Sequence, residues 1–137
     1  MEFNLVINST PIEVAATPQQ ISDFLSVAEK HQWVIPSQAT QFSWEGNTFR
    51  YTIPGTGDLS LLIQEVTQNM VRLVPYKRIP FPFQCDFQWS ENENHICTLQ
   101  IVLMAELNSI LKLMATKPLQ NLTNTMAQNI QLYFQSR

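Results

Sequence analysis

The stretch HICTLQIVLMAELN, residues 95–108, passes directly from one apolar pattern into another. Up to Leu107 every second residue is apolar, which predicts a β-strand with one face in the core. From Asn108 to about Phe134 apolar residues recur at steps of three and four, which predicts a long helix capped by Asn108. Because only a capping residue separates the two patterns, the helix must fold back onto the sheet that it leaves.

The composition is that of an ordinary globular domain. The chain has 137 residues, of which 45% are hydrophobic and 14% charged. This is enough for a substantial core, and we expect a single domain spanning residues 1–137. The net charge of -3 and a single basic doublet, Lys77-Arg78, indicate no extended basic surface that could bind a polyanion. Nucleic acid is therefore not an expected partner.

The N-terminus and the cysteines favour a soluble cytoplasmic protein. Residues 1–4 resemble no secretory signal, and no apolar run approaches the length of a membrane span, so no stable membrane insertion is expected. Two cysteines do not imply a disulfide framework, and reduced thiols in a cytoplasm fit as well. The sequence leaves the oligomeric state open.

The N-terminal part predicts one strand and one capped helix. Alternation over residues 3–14 indicates a strand that Pro11 confines to a sheet edge or a bulge. Thr17 is the expected N-cap, with Pro18 at the first helical position and Gln20 completing a capping box. The inward stripe of this helix is expected to contain Ile21, Phe24, Leu25 and Ala28.

Six antiparallel strands and the terminal helix complete the prediction. Turns are expected at residues 45–47, 54–57, 68–69 and 78–80. The fold class is α+β, a helix-grip arrangement in which a curved antiparallel sheet of about seven strands wraps around the long C-terminal helix. Pro118 predicts a kink in that helix, or a restart with Thr116 as cap. The inner stripe of the helix is expected to contain Leu111, Met114, Ala115, Pro118, Leu122, Met126, Ile130 and Tyr133.

The order of these elements and several local stretches resemble the Bet v 1-like, START-related superfamily, which includes polyketide cyclase-like proteins (SRPBCC). The stretches are residues 12–26, 44–46, 57–61, 105–108 and 117–120, the last two being similar to small bacterial members. The resemblance implies a cavity between the sheet and the long helix that in many members holds an apolar or amphipathic small molecule. The resemblance does not imply a particular reaction, because one fold hosts many functions.

The expected ligand is a hydrophobic small molecule, lipid-like or aromatic. Tyr51 is the best candidate anchor, because a buried phenol must find a hydrogen-bond partner. The aromatic alternation around residues 42–51 and 81–89 fits a pocket lining or plain core, and both interpretations stay open. The candidate cavity residues are Tyr51, Phe83, Phe87, Leu103, Leu122 and Met126.

Few residues suggest chemistry, so no catalytic residue, metal or cofactor is predicted. Cys85 and Cys97 are expected to be two buried thiols without the spacing of a metal site. His95 should lie at an exposed hairpin end, and His31 at a helix end where a partly positive imidazole is favoured. Glu106 is either a helix-capping carboxylate or a cavity anchor.

Three functions remain open at this stage. The leading hypothesis is a non-catalytic carrier or sensor of an apolar small molecule. The second is an enzyme of the cyclase or aromatase kind, which needs at least one inward acid or base. The third is a protein-interaction module with a filled core.

Overall fold

A computed structural model describes residues 3–54, 57–77 and 81–135. Within this part the chain forms a curved antiparallel sheet, a short N-terminal helical segment and a long C-terminal helix, as predicted. The predicted turn at residues 78–80 lies outside the described residues, as does the centre of the turn at residues 54–57. Among the described residues, neither α-helix combines the length and the hydropathy of a membrane-spanning segment.

The sheet has eight strands in the described part of the chain. They are β1 (Leu5–Asn8), β2 (Ile12–Val14), β3 (Thr40–Glu45), β4 (Thr48–Ile53), β5 (Gly57–Val66), β6 (Met70–Pro75), β7 (Phe83–Glu91) and β8 (Cys97–Ala105). Their spatial order is β1-β8-β7-β6-β5-β4-β3, and β2 also pairs with β8. Except in the edge strand β3, alternating apolar residues are buried on the face that the helices cover, while most of the intervening polar residues point the other way.

The eighth strand arises because the first predicted strand is divided in two. β1 and β2 both pair with β8, but the register shifts by one residue between them. At the division the Ser9 hydroxyl accepts a hydrogen bond of 2.8 Å from the Ile101 N–H. Pro11 has no N–H to donate to the ladder, so the break falls where the sequence predicted an edge or a bulge.

The N-terminal helix begins as the sequence predicted. In α1 (Pro18–Leu25) the Thr17 hydroxyl accepts from the Gln20 N–H at 3.2 Å, and the Thr17 N–H donates to the Gln20 side chain at 2.9 Å. A 3-10 helix follows at Ala28–Trp33. The four residues of the predicted inward stripe are all buried.

The C-terminal helix α2 (Ser109–Gln135) runs without a break through Pro118. Asn108 caps it, since its side-chain oxygen accepts from the Leu111 N–H at 2.9 Å. The alternative of a restart at Thr116 is wrong, because the Thr116 hydroxyl instead donates back to the Lys112 carbonyl at 2.6 Å, inside the continuous helix.

Two parts of the predicted apolar surface are exposed. Leu111 and Met114 were expected on the inner stripe of α2, but only the later turns, around Met126 and Ile130, are buried. The 27 residues of α2 extend about 40 Å, whereas the 9 residues of β8 span about 30 Å, so one end of the helix passes beyond the sheet. Trp44 is likewise half exposed, because β3 is an edge strand.

Candidate ligand-binding site

One end of the space between sheet and helix is closed by aromatic packing. The Phe24 ring of α1 lies 4.2 Å from the Tyr133 ring and 5.3 Å from the Phe134 ring, both near the end of α2. The Asn129 side chain donates to the Val34 and Ile35 carbonyls at 3.0 Å each. These contacts join the two helical segments over the sheet, and we call this side the closed end.

His31 is part of the closed end and is neutral. Its ring is buried, stacks on Phe49 at 4.5 Å between centroids and meets the Phe87 ring edgewise at 5.8 Å. Its Nε2 donates to the Leu25 carbonyl at 2.8 Å. Burial lowers the pKa of His31 to about 4, although the bond to the carbonyl partly opposes this. The prediction of a partly positive imidazole at a helix end was wrong, because the 3-10 helix turns the ring into the core.

The opposite side is less completely covered, and we call it the open end. β4, β6 and β8 finish there and β5 and β7 begin there, because successive strands are antiparallel. Several apolar side chains at this end are only half-buried, although Ala105 and Leu107 are buried, whereas Phe87, Leu99 and Ile101, nearer the closed end, are fully buried. The half-buried residues that pack on the core here are Ile53, Leu59, Phe81, Phe83, Leu119 and Leu122.

Tyr51 lies on the inner face next to the open end, opposite Leu59 in the register of β4 and β5. Its side chain is only 4% exposed, yet its hydroxyl makes no hydrogen bond to any residue that the structure describes. Within the same residues no fully enclosed side-chain nitrogen or oxygen lacks a partner. The Tyr51 oxygen is therefore not fully enclosed and keeps a small surface that a water molecule can reach. Burial raises the pKa of the phenol, with a smaller effect from the Cys85 thiol.

Cys85 adds a second weakly polar group to the inner face. It pairs with Leu103 in the register of β7 and β8, and burial raises the pKa of its thiol to about 12, with a smaller effect from Asp86. Cys97 is opposite Glu91, near the closed end, and both thiols are free and buried. A protonated buried thiol is a weak hydrogen-bond donor and a poor nucleophile.

The structure places the six candidate cavity residues at different depths. Tyr51 and Leu103 are almost fully buried beside the open end, where Phe83 is half-buried. On α2, Leu122 is half-buried and Met126 is almost fully buried further along the helix. Phe87 lies deeper, beneath His31. Sequence reasoning missed further residues of the same surface, although the period of their strands or helix marks their inward face: Ile53, Leu59 and Leu119.

The other candidate polar residues lie outside this site. His95 is exposed at the turn between β7 and β8, as predicted, with its Nδ1 3.4 Å from the Glu91 carboxylate. Glu106 is exposed as well, so it does not anchor anything inside the core. Across the described ranges no group of three or more His, Cys, Asp or Glu side chains is placed to hold a metal ion.

Comparison with known proteins relates the chain to solved structures only. No family model matches it, and no curated protein matches it. A START superfamily protein from Mycobacterium smegmatis is similar with a TM-score of 0.70 and 14% identity, over 96% of this chain and 97% of that one. Norcoclaurine synthase from Thalictrum flavum, in complex with dopamine and hydroxybenzaldehyde, is also similar. Its TM-score is 0.74 and its identity 13%, over 97% of this chain and 87% of that one.

A third similar structure is the di-domain ARO/CYC StfQ from the steffimycin biosynthetic pathway. Its TM-score is 0.74 and its identity 14%, and 97% of this chain matches 52% of that one. Identities this low relate folds and not functions. These similarities confirm the predicted fold: the chain has the helix-grip fold.

Proposed function

We propose that this protein binds a hydrophobic small molecule, lipid-like or aromatic, at the open end of the space between the sheet and α2. The molecule is carried or sensed and is not chemically changed. The observation that supports this most is the Tyr51 hydroxyl, which is almost completely buried without a hydrogen-bond partner in the described chain. A buried phenol in that state costs free energy that a ligand oxygen or a water molecule can recover.

The character of the inner face supports an apolar ligand. The inward positions of the described strands carry mainly apolar and aromatic side chains, and the charged residue among them, Glu91, lies at the end of β7 on the closed side. Small-molecule pockets are typically built in this way, with a few polar groups that orient the ligand. The Tyr51 hydroxyl and the Cys85 thiol are such groups. A buried ionic group on the ligand would find no opposite charge here, so any charge on it should remain at the open end.

The ionisation of the inner polar groups favours binding over catalysis. Raised pKa values keep both Tyr51 and Cys85 protonated near neutral pH, so neither acts as a base or a nucleophile. His31 is the residue whose ordinary pKa suits proton transfer, but its ring is enclosed between Phe49 and Phe87 at the closed end. The cyclase or aromatase alternative therefore lacks an inward base, and the inward acid left to it is the weakly acidic Tyr51 phenol.

A filled-core interaction module is the second candidate. It is favoured by the complete burial of Phe87, Leu99 and Ile101, because that half of the inner face leaves no room for a ligand. The two candidates differ only in whether the open end is occupied by a small molecule. In either case two unpaired thiols agree with the cytoplasmic location that we infer.

Mass spectrometry and thermal melting test the proposal. We expect purified protein to retain a non-covalent adduct in native mass spectra that disappears on denaturation. Fatty acids, sterols and aromatic polyketides form the panel for melting experiments, and at least one class should raise the melting temperature. Absence of both an adduct and any shift would reject the carrier in favour of the interaction module.

Tyr51→Phe tests the anchor within the same assay. Losing one neutral hydrogen bond of about 0.5–1.5 kcal/mol should weaken a ligand that bears an oxygen by about twofold to tenfold. The ligand-free variant should be at least as stable as wild type, since the hydroxyl has no partner to lose. Tyr76→Phe is the matched control, because it removes an exposed phenol. Equal affinities of Tyr51→Phe and wild type would exclude Tyr51 as the anchor.

A further inference from the structure

The two outer edges of the sheet differ in whether the rest of the chain covers them. At the edge formed by β1 and β2, side chains of α2 hydrogen-bond to the backbone. The Gln120 amide donates to the Asn8 carbonyl at 2.8 Å. The Thr10 N–H donates to the Asn124 side chain at 2.9 Å. The helix thus satisfies backbone groups that an exposed edge would offer to another strand.

β3 forms the opposite edge and has no such cover. In the part of the chain that the structure describes, no side chain hydrogen-bonds to the backbone of residues 40–44. All residues of β3 except Phe42 are exposed. The strand also contains no Lys, Arg or Pro, which commonly keep an exposed edge from pairing. This edge can therefore accept a further strand.

The β3–β4 hairpin shows which backbone groups face outward. Glu45 pairs with Thr48 across a two-residue turn, so these residues exchange the hydrogen bonds that close the hairpin. Trp44 comes next and lies opposite Phe49, so the N–H and C=O of Trp44 point away from β4. A bulge that includes Gln41, whose φ is +58°, precedes this stretch. The regular part of the edge is therefore short, residues 42–45.

A second copy of the same edge is complementary to it. When two copies pair antiparallel about a two-fold axis at Ser43, Trp44 of each copy lies opposite Phe42 of the other. Both side chains are on the inner face, since the Phe42 ring lies 5.9 Å from the Phe49 ring and Trp44 is the strand partner of Phe49. Trp44 is 50% exposed, so each of these aromatic pairs covers ring surface that water now contacts.

The same register also avoids repulsion between charges. Glu45 is the charged residue of β3, and in this register it lies opposite Gln41 of the second copy. At the axis each Ser43 faces its counterpart on the outer face. This side chain is small, and in the structure its hydroxyl accepts a hydrogen bond from the Arg50 guanidinium at 3.1 Å. Backbone and side chains of the edge thus both fit a second copy.

We propose that β3 pairs with β3 of a second copy, antiparallel and with the two-fold axis at Ser43, so that the two sheets continue into each other. Main-chain hydrogen bonds join the edges, and the aromatic pairs fix the register. The contact uses the same surface on both copies, so the assembly closes at a dimer. Because only a few residues of each edge take part, the dimer is weak and depends on concentration.

Sedimentation equilibrium of the full chain tests the pairing. Wild type should form a dimer as its concentration rises from about 1 µM to about 1 mM, a range that covers weak complexes. Trp44→Thr keeps a residue suited to strands but removes both aromatic pairs, so it should raise the dissociation constant by about twofold to thirtyfold. The matched control is Leu113→Gln, which removes an apolar side chain of α2 that is 84% exposed. It should dimerise as wild type does.

Charges placed at the axis test the register. Ser43→Lys puts two like charges directly opposite each other and should abolish the dimer, and Ser43→Glu should do the same. An equimolar mixture of the two variants should dimerise again, because opposite charges then face each other. Ser90→Lys is the matched control, since Ser90 is exposed on the interior strand β7, and it should dimerise as wild type does.

The possible outcomes are distinct. The melting temperature of each variant, measured in dilute solution, shows that it folds. A wild type that stays monomeric over the whole range overturns the proposal. So does a dimer that Trp44→Thr and both Ser43 variants retain, or one that Leu113→Gln dissolves, because another surface then forms the contact. If wild type dimerises and the mixture of Ser43→Lys and Ser43→Glu does not, the two-fold axis at Ser43 is refuted.

Discussion

His31 should make the folded protein less stable in mild acid. Its ring is enclosed beside Phe49 and Phe87, and burial lowers its pKa to about 4 from the ordinary 6.5. The unfolded chain then binds a proton more readily than the folded one, so the free energy of unfolding falls as the pH drops between these two values. The separation of the two pKa values corresponds to a change of about 3 kcal/mol in the free energy of unfolding. About 2 kcal/mol of this should be lost between about pH 7 and about pH 5.

Urea unfolding at these two pH values measures the effect. We expect wild type to lose about 2 kcal/mol more than His31→Gln, which has no imidazole to protonate at that position. His95→Gln removes an exposed imidazole and is the matched control, so it should retain the full loss. This pH window lies above the range in which most carboxyl groups titrate. Equal losses in wild type and His31→Gln would refute the conclusion that a buried neutral His31 sets the acid sensitivity.

Three further predictions concern stability and use denaturant midpoints. Ile130→Ala should cost about 2–5 kcal/mol, because its side chain is fully buried, and Leu122→Ala should cost clearly less, because Leu122 is half-buried at the open end. Equal costs would contradict the division into a closed and an open end. Thr17→Ala should cost about 1 kcal/mol through the lost cap, and Thr17→Ser should restore most of it. Asp86→Asn should cost about 1–3 kcal/mol, because the buried carboxylate accepts two hydrogen bonds from Arg72, at 2.8 and 3.1 Å; no loss would exclude a stabilising pair.

Much of the fold could be predicted because its signals are local. The capping box at Thr17, the turn at Gly46 and the alternation of β7 and β8 each occupy a few neighbouring residues and are present in the structure. Gly46 has a φ of +59°, a conformation that glycine adopts without strain and that suits a tight hairpin. Such local patterns indicate which way a side chain points within its own strand or helix.

The site was predicted less completely for the same reason. Alternation marks Tyr51, Phe83 and Phe87 equally as inward, yet Phe87 is covered by His31 and Phe83 stays half-buried. His31 is 56 residues away from Phe87 in sequence, so no local pattern could indicate that contact. The unpaired state of the Tyr51 hydroxyl also depends on what several other strands place around it.

The order of the elements, the inward face of most strands and the caps of the two α-helices could be inferred from the sequence alone, because the strand and helix periods and the capping groups act over a few residues. Three features required the three-dimensional packing: α1 and the 3-10 helix close one end, His31 is neutral inside it, and Leu111 and Met114 remain exposed. These features depend on packing because a face is buried only where another part of the chain covers it. A helix of 27 residues passes beyond strands of about ten, so its own periodicity cannot say where the cover ends.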